Sequence, residues 1–271
     1  MPITRRMCLA LGSAMLLAGR AGANPVAALY QARTIVTGQR AETRIPGMAR
    51  CLAQVLVRVS GDPRLAQHPA LAGLIATPEA AVANYSYRDL YAFRPIRDEQ
   101  GTRDRPYEMT VDYDPAKIDA MLAQMGSKPW LGDRPRLVVF LAVHHIGSTF
   151  MLSSMADQGE LMRQSFQDAA WNAAMEVVIP SPATIDSAGL TVDGTPDLSA
   201  LMSFVDRKVG QLPLAGKLDW SRELLAWKAQ WRLTADGREH RWGIAGVNFD
   251  AAFRNGVGGA AQLLSGNGTP A

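Results

Sequence analysis

The spacing of apolar residues predicts a β-α-(α)-β-β-α order of elements in the first half of the chain. Residues 29–37 suit a first strand. Apolar residues then recur at intervals of three and four, which is typical of one face of a helix. This set is Met48, Cys51, Leu52, Val55, Leu56 and Val59. Pro46 fits the first turn of the helix, and Gly61 followed by Pro63 fits its end.

A hairpin and a further helix are predicted after two short helical segments at residues 69–75 and 78–84. Apolar and polar residues alternate in the second strand of this hairpin, as in a strand with one buried face. Its apolar positions are Tyr107, Met109, Val111 and Tyr113. Residues 85–94 are the expected partner strand. Asp114 and Pro115 fit the N-cap and the first turn of a helix that runs to Met125.

The second half of the chain starts with a continuously apolar segment at residues 137–143, as expected for a central strand covered on both faces. Helices are predicted at residues 160–175 and 198–209, with a short strand at 177–180 and a loop at 182–196 between them.

A second hairpin is predicted near the end of the chain. Residues 227–233 alternate between apolar and polar, and the turn at Asp236-Gly237 leads into a strand at 241–247. A closing helix then carries apolar residues on one face, at Phe249, Phe253, Val257, Ala260 and Leu264.

These elements predict an α/β (α+β) fold of two small lobes, each a mixed sheet packed with helices. The lobes are expected at residues 24–128 and 134–265, joined by a linker rich in Gly and Pro. The C-terminal lobe has the predicted order β-α-β-α-β-β-α. Residues 266–271 are rich in Gly and Pro, and we expect them to form a disordered tail.

Residues 1–23 have the pattern of a cleavable signal peptide. Arg5 and Arg6 precede an apolar core at residues 7–18, and Ala21-Gly22-Ala23 supplies the small residues of a cleavage site. The general secretory route is favoured, although the paired arginines also occur in twin-arginine signals. The sequence therefore predicts a periplasmic protein.

Removal of this segment changes the charge of the protein. The segment holds three of the 28 basic residues and none of the 25 acidic ones, so the mature chain has 25 of each. A balanced charge argues against nucleic-acid binding, which depends on clustered Lys and Arg.

The mixed charges at residues 94–105 are expected to form a solvated hairpin tip. We expect no membrane span after signal cleavage, because no later apolar segment reaches about 20 residues.

The sequence assigns no residue a catalytic, cofactor-binding or metal-binding role. His144 and His145 follow the central strand, where ligand-binding residues often gather. Adjacent strand residues point to opposite faces, so the two rings cannot readily share a metal. Asp157, Glu160 or an acid from a remote part of the chain is a candidate to complete a site there, but the sequence does not select one.

Other candidates have a structural interpretation. Cys51, the one cysteine left after cleavage, is expected on the buried face of a helix. Capping accounts for Asp114 better than a catalytic pair with Asp112 or Asp119 does. The glycines at 256–259 favour close packing of a helix over phosphate binding. Most of the tryptophans in a possible sugar-stacking set are expected to be core residues; the set is Trp220, Trp227, Trp231 and Trp242.

Several segments share the pattern of one bacterial family: Val36-Thr37-Gly38-Gln39, the helix at residues 49–62 with its Val-Arg-Val-Ser-Gly-Asp ending, Tyr85-Ser86-Tyr87-Arg88, the strand at residues 134–143 and the Trp-rich hairpin before the last helix. Over nearly its whole mature length, the chain resembles this family of exported proteins, which is catalogued as domain of unknown function 2066. The resemblance implies an envelope protein, and the family brings no established activity or catalytic residue. The family often has acidic residues where this chain has His144 and His145. Arg58, Gly61 and Asp62 are expected to act in helix termination.

The leading hypothesis is a periplasmic, non-catalytic protein that binds another envelope protein or a small ligand, without nucleic acid or a cofactor. The first alternative is an exported hydrolase or metal-dependent enzyme with a site near His144. The second is a small-ligand or glycan binder with its site between the lobes.

We predict that the mature protein begins at Asn24. Mass spectrometry of protein from a periplasmic extract should give the mass of residues 24–271, because the small residues at 21–23 suit signal peptidase. Full-length protein that stays in the cytosol with Arg5 and Arg6 attached would contradict the export hypothesis.

Overall fold

A computed structural model describes residues 26–92, 105–155 and 157–270 of the chain. The predicted signal peptide lies outside the described residues, as does the predicted charged hairpin tip apart from Arg105.

The N-terminal lobe has the predicted β-α-(α)-β-β-α order. Its strands are β1 (Gln31–Thr37), β2 (Val82–Asp89) and β3 (Pro106–Tyr113), and its helices are α1 (Ala41–Ser60), α2 (Leu71–Ile75) and α3 (Pro115–Gln124). The spatial order of the strands is β1-β3-β2, and both pairs are antiparallel. The mixed sheet expected in each lobe is therefore found only in the C-terminal one.

Helix α1 begins earlier than its sequence predicts. It starts at Ala41, after Arg40 in an extended conformation, so Pro46 lies inside the helix and not in its first turn. A proline there cannot donate the helical hydrogen bond to the carbonyl of Glu42. The predicted end of α1 is confirmed, because Gly61 has a φ of 73° and its N–H donates to the carbonyl of Val57 at 2.8 Å.

The predicted apolar face of α1 forms the core of the N-terminal lobe. All six of its residues are buried. They pack with the inward residues of β3, which are Met109, Val111 and Tyr113, and with Ile118 and Leu122 of α3. Burying this much apolar surface is the main stabilising contribution in a domain of this size.

The C-terminal lobe contains a mixed sheet of six strands. They are β4 (Arg136–His145), β5 (Ser148–Met151), β6 (Glu176–Val178), β7 (Gln211–Ser221), β8 (Ala226–Ala235) and β9 (Arg238–Val247). The order is β5-β4-β7-β8-β9, and β6 also pairs with β4. β4 runs parallel to β6 and β7, whereas the pairs β4–β5, β7–β8 and β8–β9 are antiparallel.

Four helices belong to this lobe: α4 (Glu160–Ala173), α5 (Pro182–Ser187), α6 (Leu198–Leu201) and α7 (Phe249–Ser265). α4 and α7 pack on one face of the sheet. α6 packs on the other face, against Val138, Phe140 and Ala215. The prediction that β4 is covered on both faces is therefore confirmed. None of the helices in the described ranges has both the length and the apolar character that crossing a bilayer requires.

Two strands and one helix of this lobe were not predicted. β5 is short, and β7 contains Pro213 and Gly216, two residue types that usually weaken a strand. Gly216 is needed there because a Cβ atom would overlap the ring of Trp231 on β8. α5 lies in the predicted loop at 182–196. The helix predicted at 198–209 is only α6 followed by single turns of 3-10 helix.

The glycines of α7 allow close contact between helix and sheet, as predicted. A Cβ atom at Gly256 would lie 2.6 Å from the ring of Trp231, and one at Gly259 would overlap the ring of Trp242. The Trp242 indole also donates to the carbonyl of Asn255 at 3.1 Å. These two tryptophans fill the space that the missing side chains leave.

The lobes meet around the side chain of Arg134. Its Nη2 donates to the carbonyl oxygens of Arg58 (2.8 Å) and Trp130 (2.9 Å), and its Nη1 donates to that of Ala173 (3.0 Å). α1 ends at Ser60 and α4 ends at Ala173, so the guanidinium interacts with the negative ends of two helices. It also lies 4.2 Å from the centre of the Trp130 ring.

The segment predicted to be a disordered tail also contacts this junction. Nδ2 of Asn267 donates to the carbonyl oxygens of Ser60 (2.7 Å) and Lys128 (3.0 Å). Its Oδ1 accepts from the backbone N–H of Lys128 at 3.1 Å. Asn267 therefore connects the end of α7 to the end of α1 and to Lys128, just before the linker.

We predict that Arg134→Gln lowers the free energy of unfolding by about 2 kcal/mol, because it leaves buried carbonyl groups without their donors. Urea denaturation of the mature protein measures the change. Arg136→Gln is the control, since the side chain of Arg136 forms an exposed ion pair with Glu176 and its loss should change stability by less than about 0.5 kcal/mol. Equal effects of the two substitutions would contradict the role given to Arg134.

Candidate functional site

His144 lies at the end of β4 between two aspartates from distant parts of the chain. Its Nε2 is 3.2 Å from Oδ1 of Asp193, and its Nδ1 is 3.2 Å from Oδ1 of Asp219. The first contact has hydrogen-bond geometry, whereas the second has only ion-pair distance. Lys217 lies 3.4 Å from the same oxygen of Asp219. We call His144, Asp193, Lys217 and Asp219 the polar cluster.

Neither acid proposed from the sequence to complete a site belongs to this cluster. Asp157 lies in the turn before α4 and Glu160 in the first turn of that helix, and both are exposed. Asp219 lies beside His144 because β7 is the parallel neighbour of β4. Because β7 was not predicted from the sequence, its pairing with β4 and the resulting contact between Asp219 and His144 were not predicted either.

His145 points to the opposite face of the sheet, as the strand alternation predicts. Its ring stacks on Trp227 with a centroid distance of 5.2 Å and meets Trp220 edge-on at 5.4 Å. Trp220 and Trp227 are also in edge contact, at 5.3 Å. We call these three rings the ring row. Over the described ranges, no group of three or more His, Cys, Asp or Glu side chains is arranged to hold a metal ion.

A cavity of about 90 Å³ lies on the His144 face of the sheet. Residues 190–196, which we call the strap, connect α5 to α6 and form one wall of the cavity. The opposite wall is the sheet surface, with apolar residues Phe140, Ala142 and Ala215 and polar residues Lys217 and Gln230. The cavity therefore combines an apolar floor with a few polar groups, as ligand sites commonly do.

The strap is attached to the sheet through two side chains. In the middle of the strap, the carboxylate of Asp193 is hydrogen-bonded to the imidazole of His144. At the C-terminal end, Nη1 of Arg232 donates to the carbonyl of Pro196 at 2.7 Å. Both contacts come from the sheet face that forms the floor, so they hold the strap across the cavity.

Glu239 orients Arg232 through two hydrogen bonds. Nε and Nη2 of Arg232 each donate to a carboxylate oxygen of Glu239 at 2.9 Å, and Nε of Arg241 donates to the same carboxylate at 2.6 Å. The hydrogen bond from Arg232 is the largest cause that lowers the pKa of Glu239 to about 2. The paired arrangement fixes the plane of the guanidinium that holds Pro196.

The other acidic candidates have separate structural roles. Asp114 accepts from the backbone N–H of Ala116 at 2.9 Å and caps α3, as predicted. Asp112 accepts from Gln31 at 2.7 Å, and Asp119 accepts from the hydroxyl of Tyr30 at 2.9 Å. These three carboxylates do not converge on a common point.

The remaining candidates lie mostly in the core. Cys51 is fully buried, and burial raises the pKa of its thiol to about 11, which disfavours the reactive thiolate. Trp227, Trp231 and Trp242 are buried as predicted, whereas Trp220 is partly exposed.

The predicted role in helix termination agrees with the contacts of Gly61 and Asp62, whereas Arg58 contacts β1 instead. Nη1 of Arg58 donates to the carbonyl of Gln31 at 2.8 Å, and Asp62 accepts from the backbone N–H of Arg64 at 3.0 Å. With Gly61 in the left-handed conformation, these contacts fix the chain around the end of α1.

One family model matches the chain, over residues 23–131, and its description is domain of unknown function (DUF8605). The match covers the N-terminal lobe and less than half of the chain. It supports a domain of unknown function there, but it is not a match to domain of unknown function 2066. No curated protein and no solved structure matches the chain.

We predict that Glu239→Gln destabilises the protein by about 1 kcal/mol at pH 7, a typical value for a partly exposed pair. The pKa of Glu239 is lower in the folded state than the ordinary value of about 4.3. Its contribution is therefore complete above that ordinary value and is lost as the pH falls through about 2. The stability difference between wild type and variant should shrink over this window.

Urea denaturation at a series of pH values from 7 to 2 tests this prediction. Glu176→Gln is the matched control, because Glu176 is in an exposed pair with Arg136. A difference between wild type and Glu239→Gln that is independent of pH would contradict the prediction.

Proposed function

We propose that this protein is an exported, periplasmic, non-catalytic binding protein that holds part of another envelope protein in the cavity under the strap. The observation that carries the proposal is the cavity itself, with its apolar floor of Phe140, Ala142 and Ala215 beside Lys217 and Gln230. Such a combination binds an apolar group and orients it through a few polar contacts.

The size of the cavity favours a small occupant. Its volume of about 90 Å³ is well below the roughly 300–1,000 Å³ of pockets that take drug-sized ligands. A single apolar side chain of a partner protein fits this space, and so does a free molecule of similar size. We favour the side chain, because an anchor residue in a pocket is a common arrangement in protein interfaces.

Export is part of this proposal and rests on the sequence of residues 1–23 alone. The paired arginines, the apolar core and the small residues before Asn24 support a cleaved signal peptide. The resemblance to domain of unknown function 2066 also remains a proposal, and it supports placement in the cell envelope.

A second candidate function is an exported hydrolase centred on His144. It is favoured by the position of the imidazole between Asp193 and Asp219, since an acid beside a histidine orients the base of many hydrolases. The contacts of His144 within the described ranges go to carboxylates and not to a hydroxyl or thiol nucleophile. Loss of a hydrolytic activity in His144→Ala would favour this candidate, and blank activity screens of the wild type would count against it.

We predict that Ala142→Leu abolishes partner binding, because the added carbon atoms fill the cavity from its floor. Pull-down from a periplasmic extract should recover one partner in near-stoichiometric amount with the wild type and none with the variant. Ala245→Leu is the control, since Ala245 is exposed on β9 and does not line the cavity.

A thermal-shift screen of small amphipathic molecules tests the alternative occupant. A large shift that Ala142→Leu removes would identify a small ligand in place of a protein. Failure of both the pull-down and the screen would contradict the proposed function.

A further inference from the structure

The strap covers the cavity without regular secondary structure of its own. Each residue of the strap is described, and none of them lies in a helix or a strand. Thr191, Gly194 and Thr195 are exposed although they also line the cavity. Segments with few buried contacts open at lower free-energy cost than packed helices and strands do. The position of the strap therefore depends on the side chains that attach it to the sheet.

His144 faces two carboxylates, one on the strap and one on the sheet. Its Nε2 is 3.2 Å from Oδ1 of Asp193, and its Nδ1 is 3.2 Å from Oδ1 of Asp219. A neutral imidazole has one N–H group, so it can donate to only one of these carboxylates. An imidazolium has an N–H group on each nitrogen and is attracted by both. We call the contact between His144 and Asp193 the latch.

The surroundings of Nδ1 make the neutral ring a poor latch. Nδ1 is buried and has no hydrogen-bond partner in the described part of the chain. With the proton on Nε2 alone, the latch is kept, but the lone pair of Nδ1 lies close to the negative oxygen of Asp219. With the proton on Nδ1 alone, Nε2 no longer donates to Asp193 and the latch is lost. Only the doubly protonated ring interacts favourably with both carboxylates.

Two lysines near the ring act mainly on the carboxylate of the sheet. Nζ of Lys217 is 3.4 Å from Oδ1 of Asp219, and Lys228 lies directly opposite Asp219 on β8. Both lysines reduce the attraction between an imidazolium and Asp219. The carboxylate of Asp193 is 90% exposed, and His144 is its one ionic partner within the described residues. The charge of His144 therefore acts directly on the strap.

The second attachment of the strap does not change over the range in which histidine side chains commonly change charge, about pH 5 to 8. Nη1 of Arg232 donates to the carbonyl of Pro196 at 2.7 Å, and Glu239 holds Arg232 in place. Arginine stays charged throughout this range, and the pKa of Glu239 is about 2, so both members of the pair keep their charges. The strap is therefore held constantly at Pro196 and variably at Asp193.

We propose that protonation of His144 fastens the strap over the cavity, so that the cavity is more firmly closed at about pH 5.5 than at about pH 7.5. The additional attraction is present at the lower pH and is lost as the pH rises and the ring becomes neutral. Asp193 then returns to water at little cost, because its side chain is already exposed. Control of an occupant by this latch rests on the proposed function, whereas the movement of the strap does not.

Chemical labelling of the cavity floor tests the latch without any occupant. Ala142→Cys places a thiol beneath the strap, since Ala142 lines the cavity and is 6% exposed. The native Cys51 is fully buried and does not compete for the reagent. The rate of labelling by a small methanethiosulfonate is measured in purified protein at about pH 5.5 and about pH 7.5. Comparing variants at the same pH cancels the effect of pH on the thiol itself.

Asp193→Asn in the Ala142→Cys background removes the charge on the strap and leaves the imidazole able to take up a proton. At about pH 5.5 it should be labelled about threefold faster than the Ala142→Cys parent, the size expected for one exposed charged contact. The difference should shrink at about pH 7.5. His144→Gln should behave in the same way, because glutamine keeps a donor but cannot be protonated.

His68→Gln is the matched control, because His68 lies in the N-terminal lobe and caps the backbone N–H of Ala70. In the Ala142→Cys background it should be labelled at the rate of the parent at both pH values. Circular dichroism and melting temperature separate a released strap from misfolding, since loss of the latch should leave the spectrum of the folded protein unchanged.

A ratio of labelling rates between Asp193→Asn and the parent that is the same at both pH values would overturn the proposal. Labelling of the parent as fast as in urea would also overturn it, because the strap would then not cover the floor. The latch and the proposed function can fail separately. Recovery of a partner together with labelling ratios independent of pH would refute only the latch. Ratios that depend on pH, with blank pull-down and thermal-shift screens, would support the latch and refute the proposed function.

Discussion

Helices α1 and α4 end at the same place, and the guanidinium of Arg134 supplies hydrogen-bond donors to the last carbonyl groups of both. Such groups have no partner inside their own helix, and leaving them buried without a donor is unfavourable. Burial of Arg134, with a further contribution from the charge of Arg58, lowers the pKa of the guanidinium to about 10. The helix ends and the Trp130 ring compensate part of the cost of burying this charge. Arg134 and Asn267 both contribute hydrogen bonds to the junction between the lobes, and Arg58 packs on the ring of Trp171 there.

The two faces of the C-terminal sheet are covered to different extents, and this difference locates the cavity. On one face, Gly256 and Gly259 let α7 come close enough for Trp231 and Trp242 to fill the space beneath it. On the other face, α6 is only four residues long, so the strap covers part of the sheet in place of a long helix. A helix packed like α7 would leave no room for a ligand there, whereas the strap leaves a small cavity.

Local patterns were sufficient to predict the order of the elements of the N-terminal lobe, because its helix and strands have clear periods. The starts were predicted less well, since α1 begins at Ala41 and β2 at Val82, inside the helix predicted at residues 78–84. Local patterns failed for β7, where Pro213 and Gly216 interrupt a strand that is stabilised by pairing with β4 on one side and β8 on the other. The acids beside His144 were missed for a related reason. Asp193 is 49 residues away along the chain, and no spacing rule brings it to the end of β4.

The adjacent histidines were predicted on opposite faces, and this alternation separates the polar cluster from the ring row. His144 belongs to the polar cluster and to the face that carries the cavity, whereas His145 belongs to the ring row. The backbone of β4 keeps the two side chains on different faces, so no side chain of the ring row lines the cavity. A substitution at His144 therefore acts on the attachment of the strap and leaves the contact between His145 and Trp227 in place.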